Sequence, residues 1–449
     1  MATPEFLSWQ LIVSVVMILI VIHMLLGLAG LCTYFERKIS AYIQDRIGPN
    51  RVGLDLGLPA LQFLKGLFGL GQFLADGLKF ILKEDYTPRG ADKILFCLAP
   101  VIVVVPALIA FAIIPWGGRL SLPEVTIPLL NWTIPAATVQ VAGASISVGI
   151  VYLLAVASLS IYAVTLAGWA SNNKYSFLGG LRASAQMISY EIPMGLGILV
   201  VLLMVGSLLP DRIIGFQVSH GWLVFAQPVM AVVFYICLLA EGNRTPFDNA
   251  ECEQELVGGY HTEYSAMRMA LFLLSEYIHL VTGSAFFTLL FLGGYHLPAT
   301  WVGANAGHWF TPESTGIIAC LLKFGVFVGK TLAMVFLAML IRWTIPRLKF
   351  NQVMGMAWNG LIPLSIAAVL LVSFMVARGW TAFWQMLLMN VGIAVVFMIY
   401  APLSTRSTKN KRLRIAGSRF YPMLGEAVVT APTDPIARED RPLQGSVPA

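Results

Sequence analysis

Nine apolar runs with few charges recur along the chain, at roughly 8–33, 94–115, 142–168, 188–208, 222–240, 269–292, 316–341, 359–377 and 382–401. Each is about 20 residues, enough to cross a hydrocarbon core of roughly 30 Å as a helix. In lipid the backbone must satisfy its own hydrogen bonds, so only helices and closed barrels span. No segment alternates apolar and polar residues over about ten positions, as barrel strands do, so the runs are predicted to be transmembrane helices. Only 12% of the 449 residues are charged, against about 25% in soluble proteins, which excludes a water-soluble fold. The first run follows Glu5 rather than a basic segment, and no small-residue cleavage site comes after it. It therefore reads as a retained span and not a signal peptide.

The basic residues fix an expected orientation. The first loop holds Arg37, Lys38, Arg46, Arg51 and five more. The third holds Lys174 and Arg182, the fifth Arg244 and Arg268, the seventh Arg342, Arg347 and Lys349. The tail after Tyr400 is also rich in them, whereas the even-numbered loops contribute only Arg119, Arg212 and Arg378. By the positive-inside rule the odd loops and the tail are cytoplasmic and the N-terminus is outside. The expected layout is a polytopic membrane domain over 1–402, with a first cytoplasmic loop 34–93 and a fifth loop 241–268. A polar, proline-bearing cytoplasmic tail over 403–449 is expected to be mobile or to lie along a partner.

The first loop is too long for a plain connector. Between Leu61 and Glu84 its polar residues Gln62, Lys65, Gln72, Asp76, Lys79 and Lys83 form one narrow stripe on a helix. Such a helix is expected to lie at the cytoplasmic interface, either as a surface anchor or as one wall of a pocket for a lipid-like ligand. Asp76 and Lys79, at i and i+3, are placed to pair with each other. Arg37, Arg46 and Arg51 read either as topology signals or as ligands for carbonyl or carboxylate groups.

Between Ala240 and Tyr264 six acids, Glu241, Asp248, Glu251, Glu253, Glu255 and Glu263, face one base, Arg244, in a chain of net charge +6. Clustered carboxylates near a membrane raise one another's pKa and titrate as a group, so the segment is either a solvated loop or a place where protons are handled. Asp248 followed by Glu251 resembles a helix N-cap with a capping box. Within the spans, Lys330 and Glu276 are costly charges expected to face the bundle interior, while Glu191 and Lys323 lie near enough to predicted span ends to snorkel. Cys32, Cys97, Cys237, Cys252 and Cys320 form no C-x-x-C pair, and the six histidines show no i, i+4 pairing. No metal site is expected.

Several of these segments together resemble a known family. They are Glu36-Arg37-Lys38, Arg46 to Gly53, Ala75-Asp76 with Lys79, Lys83-Glu84-Asp85, Asn172 to Ser176, Gln186 to Glu191, the 240–264 block, and Arg342 to Arg347 with Pro363. They are similar to the H subunit of bacterial respiratory complex I, the proton-pumping NADH:quinone oxidoreductase, over about residues 8 to 378. The resemblance implies a multi-pass subunit of the bacterial plasma membrane, without a redox centre and inactive alone. Its implied partners are peripheral redox-arm subunits carrying flavin and iron–sulfur clusters, small membrane subunits and antiporter-like pump subunits; nucleic acid has no part.

The resemblance implies quinone as substrate. Glu36, Arg37, Arg46 and Asp76 fall on the quinone side. Glu191, Glu241, Asp248, Glu251, Glu253, Glu255, Glu263 and Glu276 fall on an acidic path, with Arg244 as counter-charge; Lys330, found above as a buried charge, is grouped with them. The chain departs from the family at Gly242, where threonine is more usual, and from about 379, where it adds the ninth span and the tail. It also departs at Leu61 to Gln72, which reads like an insertion, because Gln62-Phe63-Leu64 recurs as Gln72-Phe73-Leu74. Two alternatives remain: the equivalent subunit of a membrane-bound hydrogenase-type complex, and a free-standing ion-coupled transporter. For the latter no internal repeat is found across the spans.

Overall fold

The computed structural model describes residues 8–54, 66, 68–127, 132–298 and 308–404, without the side chains of 126, 127, 132, 133, 253, 254, 308 and 401–404. Lys65, half of the apparent insertion (61–65 and 67) and the tail from 405 lie outside the described residues.

The fold is mostly helical. In chain order it runs α1 (Trp9–Ile43), α2 (Gln72–Leu82), α3 (Lys93–Ile109), α4 (Gly149–Ala170), α5 (Lys174–Val205), α6 (Pro210–His220), α7 (Leu223–Ala226), α8 (Pro228–Glu241), α9 (Glu253–Leu256) and α10 (Ala266–Phe291). Then come α11 (Ile317–Thr344), α12 (Phe350–Met356), α13 (Ile362–Ala377) and α14 (Phe383–Ser404). Among the described residues eight helical segments are long and apolar enough to cross a membrane, α12 and α13 joining through a π-turn into one of them. Between α3 and α4, β1 (Arg119–Leu122) pairs antiparallel with β4 (Ala137–Gln140), and β2 (Val125–Ile127) with β3 (Trp132–Ile134). These short ribbons carry no period-two apolar signal long enough to be read from sequence.

Three departures from the sequence reading bear on the site. The helix α1 continues ten residues past the predicted 33, because no glycine or proline intervenes before Gly48-Pro49, and so it carries Glu36 and Arg37. The fifth run is not one helix. It breaks at Gln227, since the residue before a proline is pushed out of the α region, leaving the 14-residue α8. Asn390 of α14 answers that break, its Nδ2 donating to the carbonyl of Ala226 at 3.2 Å and to Gln227 Oε1 at 2.7 Å. Lastly, α5 starts at Lys174, capped by the Asn173 side chain on the Tyr175 N–H. Glu191 therefore lies in mid-helix and not at a span end.

The helix α5 packs on α4, α8 and α13, and α10 packs on α3 and α11. Small residues allow the closest approaches, as is usual where helices meet in lipid. A Cβ on Gly179 of α5 would lie 2.6 Å from the backbone of Gly259 in the fifth loop. Gly259 itself has φ +63°, and a Cβ there would lie 1.8 Å from the carbonyl oxygen of Ala250. Helix α5 is thus fitted against the acidic loop with no side chain between. Gly179→Ala is expected to cost about 1–3 kcal/mol through overpacking, read as a fall of several degrees in the apparent Tm of the purified assembly. Gly195→Ala, which meets nothing within 4 Å, is the control and should melt like the wild type.

Candidate functional site

The site is built around Glu36, a carboxylate 5% exposed on α1. Arg342, near the end of α11, and the Tyr277 hydroxyl, on α10, both bind it directly. Arg244 follows α8 and places its guanidinium 3.4 Å from Glu36, 3.7 Å from Glu276 and over the Tyr277 ring, 4.1 Å from its centroid. Two acids and two bases balance in this cluster. That balance is required, because an uncompensated charge at such depth is costly. Burial alone would lower the pKa of Arg244, but Glu36, Tyr277 and Glu276 push it up, so Arg244 stays charged.

Arg244 is held there by the fold of the loop. Gln186 of α5 is fully buried, and its Nε2 donates to the carbonyls of Ala240 at 2.9 Å and Phe247 at 2.7 Å. Further along, Asp248 is not a helix cap. The helix α9 begins only at Glu253, behind Cys252, and Asp248 instead accepts from Arg347 at 2.6 Å. Burial and the neighbouring Glu251 raise the Asp248 carboxyl to about 6 against the pull of Arg347, Arg342 and Arg244. Glu251 accepts from the Tyr260 hydroxyl at 2.9 Å and is within hydrogen-bonding reach of Glu276.

A cavity of about 790 Å³ opens between α1, α2, α10 and α11. Glu36, Arg37, Asp76 and Lys79 line its polar part, and leucines and aromatic rings line the rest. Asp76 pairs with Arg37 at 2.8 Å and accepts from Gln72 at 2.9 Å; the expected Asp76–Lys79 pair does not form. Glu36 belongs to both the cavity and the Arg244 cluster.

The other predicted residues are dispersed. Arg46 is exposed and lies outside the cavity lining. Glu191 accepts from Ser158 and lies close enough to Glu241 to act on its charge. Glu241 borders a small cavity of about 40 Å³ with His279 and Thr282. Glu255 pairs with Arg182 at 2.5 Å, and Glu263 accepts from Asn173 at 2.5 Å, both at the rim of the loop. The Glu253 side chain lies outside the described residues. Lys330 sits far from the cluster, at the C-terminal end of α10. The sequence reading does not single out Arg342, Tyr277 or Gln186 as site residues. Gln186, a lone amide ahead of an apolar run, is the one with a usable signal, since tyrosine and span-end arginine are common in any membrane helix.

A bundle of apolar helices enclosing balanced buried charges beside an amphiphilic cavity defines a polytopic membrane protein. The family model described as NADH dehydrogenase matches residues 15–373. The chain is 41% identical over 356 residues to the NADH-quinone oxidoreductase H subunit of Flavobacterium psychrophilum, covering 79% of this chain and 94% of that protein. It is 39% identical over 382 residues to the protein of the same name from Leptospira biflexa, covering 84% and 98%. With NADH-quinone oxidoreductase subunit 8 of Rhodothermus marinus it shares 41% over 362 residues, covering 80% and 95%. The chain belongs to the NADH dehydrogenase family.

Two measurements test the electrostatics. Removing one member of a buried pair costs about 3–5 kcal/mol, since its partner is stranded, whereas exposed pairs contribute about 0–1 kcal/mol. Arg244→Gln is therefore expected to lower the apparent Tm far more than Arg182→Gln, and equal falls would refute the balance argument. Asp248, whose folded pKa is raised, favours the folded state when protonated. That contribution is complete below the ordinary aspartate range near 4 and is lost as pH rises through about 6. Asp248→Asn is thus expected to melt above the wild type at about pH 7.5, with the gap narrowing steadily towards about pH 4.5; a gap independent of pH would contradict the assignment.

Proposed function

We propose that the chain is the H-type membrane subunit of a bacterial proton-pumping NADH:quinone oxidoreductase, forming the membrane side of the quinone chamber and the start of an acidic proton path. It resides in the bacterial plasma (inner) membrane as a multi-pass protein. The reading extends to nine spans, with the N-terminus outside, α2 lying along the cytoplasmic interface, and the 1–402 membrane domain followed by a cytoplasmic tail over 403–449. Electrons arrive from flavin and iron–sulfur clusters in peripheral subunits, and smaller membrane subunits and antiporter-like pump subunits flank the chain.

One observation carries the proposal: Glu36 lines the large cavity and also binds Arg342, Tyr277 and Arg244. The cavity volume suits a ligand of cofactor size. Its apolar walls fit an isoprenoid chain, and its charged end fits a carbonyl-bearing ring. Reduction of a quinone to quinol consumes two electrons and two protons. Negative charge developing beside Glu36 raises its proton affinity and loosens its hold on the two arginines. Opposite charges about 4 Å apart interact by about 4 kcal/mol at the effective dielectric of a protein surface, so such a change is large enough to shift Arg244 between Glu36 and Glu276. Glu276 and Glu251 then exchange protons as a coupled pair, with Asp248 titrating nearby. Glu191 and Glu241 extend the path along α5 and α8, Glu255 and Glu263 line its loop side, Glu253 is assigned to the same path by the resemblance, and Arg46 is assigned to the quinone side.

A tag on the C-terminus is expected to co-purify, after gentle solubilisation, with a coloured flavin and iron–sulfur assembly that oxidises NADH. In that assembly Glu36→Gln and Glu241→Gln should lower quinone reduction or pumping about a hundredfold, the lower edge of what a positioned proton donor contributes. Electron flow from NADH to a hydrophilic acceptor should persist. Undiminished quinone reduction and pumping would remove these carboxylates from the mechanism, and a colourless chain purifying alone in the mildest detergent would favour the transporter.

A further inference from the structure

The Glu36 cluster lies at one end of α11, and the same helix carries two lysines, Lys330 and Lys323, towards the other. From Arg342 in the Glu36 cluster back to Lys323 is 342 − 323 = 19 residues of α11. At 1.5 Å per residue this is about 28 Å, close to a hydrocarbon thickness of about 30 Å. Lys330 lies between, on the same face as Lys323 and two turns from it. Lys323 is 0% exposed, and among the described residues neither lysine forms an ion pair with a carboxylate. Backbone carbonyls hold both. Lys330 Nζ donates to Leu292 at 2.6 Å, Gly294 at 2.9 Å and His296 at 2.6 Å. Lys323 Nζ donates to Ser314 at 2.5 Å and lies 5.3 Å from the Tyr295 ring.

Capping of the α10 C-terminus would by itself account for Lys330. It does not account for a second buried amine, nor for the segment that joins the two. His296 gives its carbonyl to Lys330, and its Nδ1 is buried without a partner among the described residues. The adjacent Tyr295 turns its ring to Lys323 and lies close enough to Asp211 to sense its charge. Asp211, paired with Arg119 at 3.8 Å, lines an open recess of about 880 Å³ together with Arg212 and Glu313. Ionisable groups thus continue from the middle of the membrane to a wide mouth at the end remote from Glu36.

We propose that Lys330, Tyr295, Lys323 and Asp211 form a proton outlet through this subunit, with the recess at Asp211 as its mouth. The proposal rests on the proton path advanced above as the source of its protons. In each step one N–H or O–H bond breaks as another forms. A lysine amine takes a proton to become an ammonium and passes it through the Tyr295 hydroxyl or water to the Asp211 carboxylate, and the carboxylic acid so formed yields it to bulk water. No electron moves.

The test is the number of protons released per quinone reduced, in proteoliposomes of the complete complex normalised to flavin. Lys323→Gln abolishes proton carriage. Lys323→Arg keeps the charge and the hydrogen bond but cannot give up its proton in the working pH range. Both are expected to lower the ratio by at least a quarter. A wild-type ratio in Lys323→Gln, or its recovery in Lys323→Arg, overturns the outlet in favour of a packing role. Should the Lys323 variants fail to assemble, Asp211→Asn at the mouth gives the same reading: a lowered ratio supports the outlet and an unchanged one overturns it. Glu241→Gln separates the two levels. A fall there alongside wild-type ratios in the Lys323 and Asp211 variants refutes the outlet alone, whereas wild-type behaviour in Glu241→Gln as well refutes the path that feeds it.

Discussion

The grip of Arg244 and Arg342 on Glu36 is the constraint on which the site depends. Four parts of the chain meet there: α1 through Glu36, α10 through Tyr277 and Glu276, α11 through Arg342, and the loop after α8 through Arg244. Buried pairs are poor sources of stability, because desolvation offsets their attraction, and apolar replacements are often as stable. Their geometry is nevertheless demanding, since each charge is tolerated only beside its partner. The cluster therefore fixes the separation of α1, α10 and α11, and the cavity lies in that same space.

How much of this is legible in the sequence follows from how far each signal reaches. Apolar runs report on lipid contact, which is local, so the spans and the membrane class can be read directly. Helix ends cannot be read so well, because charged residues stay helical beyond the hydrocarbon. The helix α1 therefore carries Glu36 and runs ten residues past the predicted end, and Glu191 falls in mid-helix instead of at a span end. The break at Gln227 is legible in principle, since Pro228 follows it, but its satisfaction by Asn390 is a contact across 163 residues.

The acidic loop shows the same division. Its charge imbalance stands out at once, yet pairwise chemistry read from spacing goes astray. Asp248 and Glu251 have the spacing of a capping box, but a buried carboxylate near Arg347 gains more from a charged partner than from an exposed helix end. Asp76 likewise pairs with Arg37 over its helical neighbour Lys79, because the guanidinium of α1 reaches across the cavity mouth. Local spacing predicts pairs only where no tertiary partner competes. Arg342 and Tyr277 escape notice for a related reason: neither is unusual until Glu36 is seen beside it.

A cluster balanced at two negative and two positive charges suits transmission of a charge change better than it suits stability. With Glu36 ionised, both arginines are satisfied and Glu276 is only loosely held, at 3.7 Å. With Glu36 neutral, the near acid left to Arg244 among the described residues is Glu276, and the Tyr277 ring offers the guanidinium a cation–π contact. Any event in the cavity that alters the charge of Glu36 is thereby felt at Glu276, and through it at Glu251 and Asp248. The redistribution needs no helix to move, only one guanidinium and a proton. Under the proposed function, that economy favours charges buried together at the edge of the cavity over charges spread along a solvated loop, where water would screen each from the next.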